Sequence, residues 1–475
     1  MAVTDDLARA LGRAWQDDAP WALLTALTEL DDRMAGHEGE RRAAELTADA
    51  LADAGARDVT TTEFDLPVWR RGDCSLAVTE PARREFEAFA LPYSPPGRVE
   101  GAPLVDVGHG TKEDFQGVAT EPDAADGASG SATAEAIGST AAGTDRSPAV
   151  DPGLSDTVVL ASTDSPADGR FVHRMEKYGY AVDAGAAGFI FYNHRDGQLP
   201  PTGALRFGRE AEIPAVGVSK ETGEWLREYA DRDGRVTLSV DAATESGTGA
   251  NTTGVLGPET NDEVVVLAHH DAHDVAEGAL DNGCGVATLV AAARVLADLD
   301  LDSRVRLATV GAEEVGLLGS TAVATGLDLD SVRAVVNVDG AGRYRTLRAF
   351  THGTDAFADV LDDVSDRANR PIAVEDVLHP YSDHWPFLRR GAPATQLHSV
   401  TPDRGRGWGH TTADTRDKAD SRNIREHGML TALLVQELAA RDVPRPDDDA
   451  LHETLADAGM RPGMEAADVW PAHWD

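Results

Sequence analysis

From residue 250 onward, short apolar runs alternate with helical stretches. This rhythm restricts the fold more than any other feature of the chain. EVVVLAH (263–269) reads as a buried strand and CGVATLVAAARVLADL (284–299) as a helix. SRVRLATVGAEE (303–314) is a strand, GLLGSTAVATGL (316–327) a helix and VRAVVNVD (332–339) a third strand. TLRAFTHG (346–353) adds a strand, with helices near 354–369 and 421–441. Strands this apolar need cover on both faces, so the alternation predicts an α/β sheet between layers of helices.

Ligands of such sheets bind at the carboxyl ends of the strands. The first strand ends in His269, with Asp271 two residues on; the second ends in Glu313-Glu314 and the third in Asp339. The chain carries 82 acidic against 43 basic residues, a formal charge of −39. A single acid, or an isolated Glu-Glu, therefore reads first as solvated surface. Successive strands delivering His, Glu and Asp to one edge are a constellation. Asp281, in GALDNGCG before the helix, can offer one oxygen to each of two metals spaced roughly 3.5–4 Å apart. Mixed His, Asp and Glu donors suit zinc, and also cobalt or manganese. Of two adjacent glutamates, one can coordinate while the other takes a proton from activated water. His410, in WGHTTADT (408–415), supplies a second neutral nitrogen.

The remaining segments carry less chemistry. Residues 1–56 read as helical and DVTTTEFDLPVW (58–69) as a strand. Residues 119–152 hold almost no large apolar side chain and are expected to be a disordered or loop insertion. Residues 156–242 form a small α/β unit of their own, and 443–475 read as an acidic, Pro-rich, loosely held tail. No run of 18 apolar residues and no N-terminal targeting pattern is found, so no membrane partner is expected. Cys74 and Cys284 suggest no disulfide framework and a cytoplasmic location. Charge this negative is tolerable when salt shortens the Debye length, and it reads as that of a halophile. It excludes nucleic acid as a natural partner, because phosphates need a basic face.

AHHD, GALDNGCGVA, AEEVGLLGS, NVDG, SDHWPF…GAPA and HTTADT, in this order, resemble the co-catalytic di-zinc aminopeptidase family, related to glutamate carboxypeptidase-like and carboxypeptidase Q-like peptidases. The resemblance covers about 1–70 and 250–442. FVHRMEKYGYAVDAGAAGFIFYN and IPAVGVS are similar to a protease-associated domain, which this family inserts into its peptidase domain. The resemblance implies a three-layer α/β/α peptidase domain with a mostly parallel mixed central sheet, plus the smaller inserted α/β domain. The boundaries expected are 1–70 and 249–442 for the peptidase, 71–248 for the insert and 443–475 for the tail.

It further implies two Zn2+ ions. His269 and Asp339 would hold the first, Glu314 and His410 the second, and Asp281 both. Glu313 would be general base and then general acid, with Asp271 orienting His269. The family's oxyanion-stabilising Tyr is replaced: Gly409 precedes His410, and His379 stands three residues before SDH, with Tyr381 nearby. Either His379 or Tyr381 could donate that hydrogen bond. His270 and His273 match no ligand position and read as solvated or packing residues; Cys284 reads as packing. The expected activity is N-terminal peptide hydrolysis on peptide substrates. A carboxypeptidase or dipeptidase on the same scaffold is the alternative, a glutaminyl cyclase a weaker one, and a non-catalytic receptor-like protein the rival of another class. Arg206 or Arg209 could bind a substrate carboxylate. A homo-oligomer is left open.

Overall fold

The computed structural model describes residues 5–120, 154–402 and 408–475. Of the 119–152 segment, everything beyond residue 120 lies outside the described residues. Among the described residues, fourteen strands join in one mixed sheet. At its catalytic end the strands Leu347–Phe350, Ala394–Ser399, Val332–Val338, Glu263–His269 and Arg304–Val310 lie side by side. Glu263–His269 pairs in parallel with both neighbours, while Leu347–Phe350 runs antiparallel to Ala394–Ser399.

All seven residues of Glu263–His269 are buried. Val264, Val266 and Ala268 enter one core, with the N-terminal helices, Cys284–Leu296 and Ser421–Ala440. Val265 and Leu267 enter the other, with Trp385 and Phe387. Period-two side-chain alternation thus feeds two apolar layers from one strand. The stretch Ala279–Leu296 is apolar and long enough to cross a membrane by composition, although Asp281 and Asn282 interrupt its apolar run; 89% of it is buried inside the fold.

The insert is tied to this sheet by two long strands. Arg57–Glu80 and Arg235–Leu256 pair antiparallel over almost their whole length. The other edge of Arg235–Leu256 takes Arg304–Val310 at one end and Gly97–Asp106 at the other. From there the sheet continues through Val158–Ser162, Gly188–Tyr192 and Ala215–Val218 of the inserted unit. The strand expected over 58–69 is therefore longer, and the divisions drawn at 70/71 and 248/249 fall inside this ribbon.

The C-terminal segment is not loosely held. It forms the helices Asp448–Asp457 and Arg461–Ala466, and Leu451, Leu455, Met464, Trp470 and Trp474 are buried. The Trp385 indole donates to the Val469 carbonyl at 2.9 Å, and the Trp470 and Trp474 rings meet edge to face at 5.0 Å. The proline and aspartate content had suggested a solvated tail; widely spaced large apolar residues anchor it instead. Trp470→Ala is expected to cost about 3 kcal/mol of stability, read from the denaturant midpoint. A loss below about 1 kcal/mol would contradict a packed C-terminus.

Candidate metal centre

The strand ends deliver their side chains to one buried site. His269 closes Glu263–His269, Asp339 follows Val332–Val338, and Glu313 and Glu314 lie just beyond Arg304–Val310. Asp281 sits in the turn that leads into Cys284–Leu296. His410 comes from the loop before Ser421–Ala440. Ala312 and His410 adopt left-handed backbone at φ 57° and 55°, uncommon for residues with a Cβ and often found where function fixes the chain.

Two donor clusters result, one of His269, Glu313 and Asp339, the other of His273, Glu314 and His410. Asp281 stands between them. Its Oδ1 is 3.4 Å from His269 Nε2 and its Oδ2 is 3.5 Å from His410 Nε2. His269 Nε2 is 3.9 Å from Asp339 Oδ1, and His410 Nε2 is 3.2 Å from Glu314 Oε2. Donors bound to one tetrahedral zinc at roughly 2.0–2.1 Å are separated by about 3.3–3.4 Å. These spacings fit cations better than direct hydrogen bonds. The acids also need positive charge: among the described residues, the cation closest to them is Arg343, 2.9 Å from Asp281 Oδ1 and 3.5 Å from Asp339 Oδ1. Glu314 Oε1 is buried with no hydrogen-bond partner among the described residues. Such a concentration of buried carboxylates is costly unless counter-charge joins it.

The electrostatics record the same strain. Burial pushes the Glu313 carboxyl well above the ordinary range, and Asp383, Glu314 and Asp339 add to the rise. Burial alone would lower His269, but Glu313, Asp271 and Asp281 raise it well above normal. Burial would raise Glu314, yet His273 and His410 hold it well below the usual carboxylate range.

Supporting groups fix the clusters. The Asp271 carboxylate accepts the Glu313 and Glu314 backbone N–H groups at 3.1 and 3.2 Å. Its nearer approach to His269 Nδ1 is through its carbonyl oxygen, at 3.2 Å, against 3.5 Å for the carboxylate. Asp271 thus holds the Glu-Glu turn as well as the imidazole. Asp414 accepts from the amides of Leu280 and Asp281 at 2.6 and 3.0 Å, fixing the turn that carries Asp281. Ser382 and Gln396 donate to Asp339 Oδ2. Asp414, Ser382, Gln396 and Arg343 were given no role from sequence, although Asp414 and Ser382 lie inside quoted motifs.

The centre opens into a cleft of about 620 Å³. Tyr381 and His379 both line it, with Tyr381 stacked on His173 of the inserted unit at 4.3 Å. Arg206 and Arg209 do not line the cleft; they are paired with Glu212. The arginines in the wall are Arg174, Arg195, Arg343 and Arg348. His270 is fully buried, and burial lowers it to about 3. His273 is neither solvated nor packed among apolar groups: its Nε2 is 3.0 Å from Glu314 Oε2. The Cys284 thiol is buried and pushed up to about 12 by desolvation, so it packs rather than reacts.

Residues 251–435 match peptidase family M28, and residues 102–226 match the PA domain. The matched catalytic segment is thus that of an M28 peptidase, and the chain carries a PA domain beside it. Aminopeptidase YwaD of Bacillus subtilis is 26% identical over 438 residues, covering 89% of this chain and 85% of that protein. Leucine aminopeptidase 2 of Trichophyton rubrum is 36% identical over 172 residues, 35% of this chain and 34% of its own length. Among solved structures, the zinc aminopeptidase BSAP from Bacillus subtilis aligns with a TM-score of 0.66 at 24% identity, covering 88% of this chain and 94% of that one. A peptidase M28 precursor from Shewanella amazonensis reaches 0.72 at 22% identity, covering 93% and 98%. These solved structures share the fold of this chain.

Proposed function

We propose that this M28 peptidase is a zinc-dependent aminopeptidase that hydrolyses the N-terminal bond of peptides. The observation that carries the reading is Asp281, with one carboxylate oxygen toward each donor cluster. The names of YwaD and BSAP as aminopeptidases support it. His269 and Asp339 would hold one ion, Glu314 and His410 the other, with Asp281 shared between them. When bound, paired divalent ions polarise a carbonyl and make water acidic near neutral pH. Glu313, half-buried at the cleft wall, takes the proton from the attacking water and returns it to the leaving amine.

Tyr381 and His379 are the proposed donors to the developing oxyanion. Burial raises the Tyr381 hydroxyl, which keeps its proton, and lowers His379, which stays neutral. Cleavage of free aminoacyl p-nitroanilides but not N-acetylated ones, abolished by a chelator, is the expected result. Cleavage of the blocked substrates alone would sink the aminopeptidase reading.

The carboxypeptidase or dipeptidase reading is favoured by one observation. Arg174, Arg195, Arg343 and Arg348 line a cleft in a protein of charge −39, and guanidinium groups suit a substrate carboxylate. Turnover confined to dipeptides or C-terminal substrates would select it. No turnover in folded, zinc-loaded protein would select the non-catalytic reading.

We also propose salt adaptation, on the charge of −39. The apparent Tm is expected to rise by roughly 10 °C or more between about 0.1 M and about 3 M KCl. An unchanged or falling Tm would oppose it. The free cysteines Cys74 and Cys284 support a cytoplasmic location, which cell fractionation tests.

A further inference from the structure

We propose that His273 is itself a ligand of the second metal position, beside Glu314, His410 and Asp281. The inference rests on the two-metal reading above and extends it to a residue outside the set that the family resemblance implies. His273 Nε2 lies 3.0 Å from Glu314 Oε2, and His410 Nε2 lies 3.2 Å from that same oxygen. The His273 and His410 rings meet edge to face with centroids 4.6 Å apart. Both distances to Glu314 are close to the edge of a zinc tetrahedron, about 3.3–3.4 Å.

His273 has no better use in the fold. Its side chain is 4% exposed, and neither ring nitrogen makes a well-aligned hydrogen bond among the described residues. A buried imidazole in that state is costly. A cavity of about 10 Å³ adjoins it, lined by His273, Asp281, Glu314, His410, Thr411 and Asp414 among others. That is the space of a single ion or water.

With His273 included, the two positions are unequal. The second has four donors, His273, His410, Glu314 and Asp281. The first has His269, Asp339 and Asp281, one donor fewer. Closed four-ligand sites retain zinc as structural sites do, whereas sites with a free place are the reactive ones. The second position would therefore bind its ion the more tightly of the two. A purely positioning His273 would only donate to Glu314 and would leave the coordination unchanged.

The test uses full-length protein stripped of metal in molar KCl and titrated with Co2+ and, in competition with a chromophoric chelator, with Zn2+. His273→Ala and His273→Gln are compared with the wild type, and far-UV circular dichroism of the metal-free proteins checks the fold. The wild type is expected to bind two ions in resolved steps. Both variants should weaken the tighter step by about 100-fold or more. They should also shift the visible Co2+ bands of that step, because an oxygen donor replaces the imidazole nitrogen. Unchanged Zn2+ affinity and an unchanged Co2+ spectrum in both folded variants would overturn the His273 assignment while leaving the two-metal reading intact. A wild type that binds fewer than two ions would overturn both.

Discussion

Glu313→Gln protein is expected to fold, to keep its full metal complement, and to lose about three to four orders of magnitude in kcat. The reasoning is local. Glu313 N–H is fixed by Asp271, and the side chain lines the cleft beside Asp339 and Glu314. Neighbouring acids and burial make its carboxyl unusually basic, so it can take a proton and give it back. Glutamine keeps the shape and the backbone hydrogen bond but cannot carry the proton. Substrate affinity should change little, so the loss belongs in kcat rather than KM. Near-normal turnover in a variant of normal metal content would remove Glu313 from the reaction.

Asp281→Asn has the second large expected effect. One carboxylate faces both clusters, so its loss weakens two positions at once. The turn should survive, because Asp414 holds it through the backbone N–H groups of Leu280 and Asp281. The protein should retain its fold and bind fewer than two ions after dialysis. Turnover should fall by about 1000-fold or more, since the clamp on the reacting oxygens depends on the pair. Elemental analysis beside circular dichroism separates this from unfolding. Two ions retained per chain, with activity near wild type, would deny Asp281 the bridging role.

The catalytic half of the fold was legible because its signal is local. Strand Glu263–His269 and helix Cys284–Leu296 stand where uninterrupted apolar runs put them, and the side chains at the strand ends follow from sheet geometry. What could not be read depends on pairing at long range. The ribbon of Arg57–Glu80 with Arg235–Leu256 joins residues far apart in sequence, and its polar outer positions hide its length. The packing of the C-terminal segment is hidden in the sequence because Trp470 and Trp474 are few among many acids, yet each covers a large apolar area.

The site divides in the same way. His269, Asp281, Glu314, Asp339 and His410 come together in space as the motif order implied. His273 was set aside because it matched no motif position, and only its approach to Glu314 gives it meaning. Arg343 was invisible for a different reason. Among 39 arginines no single one stands out until its guanidinium is seen against Asp281 and Asp339.

The most direct measurement of the central claim is a zinc titration of chelator-stripped protein in molar KCl, with bound metal and aminoacyl p-nitroanilide hydrolysis followed on the same samples. The account predicts two ions bound per chain, with full activity reached only as the second equivalent binds. Full activity at one equivalent, or activity that survives complete removal of metal, would contradict it.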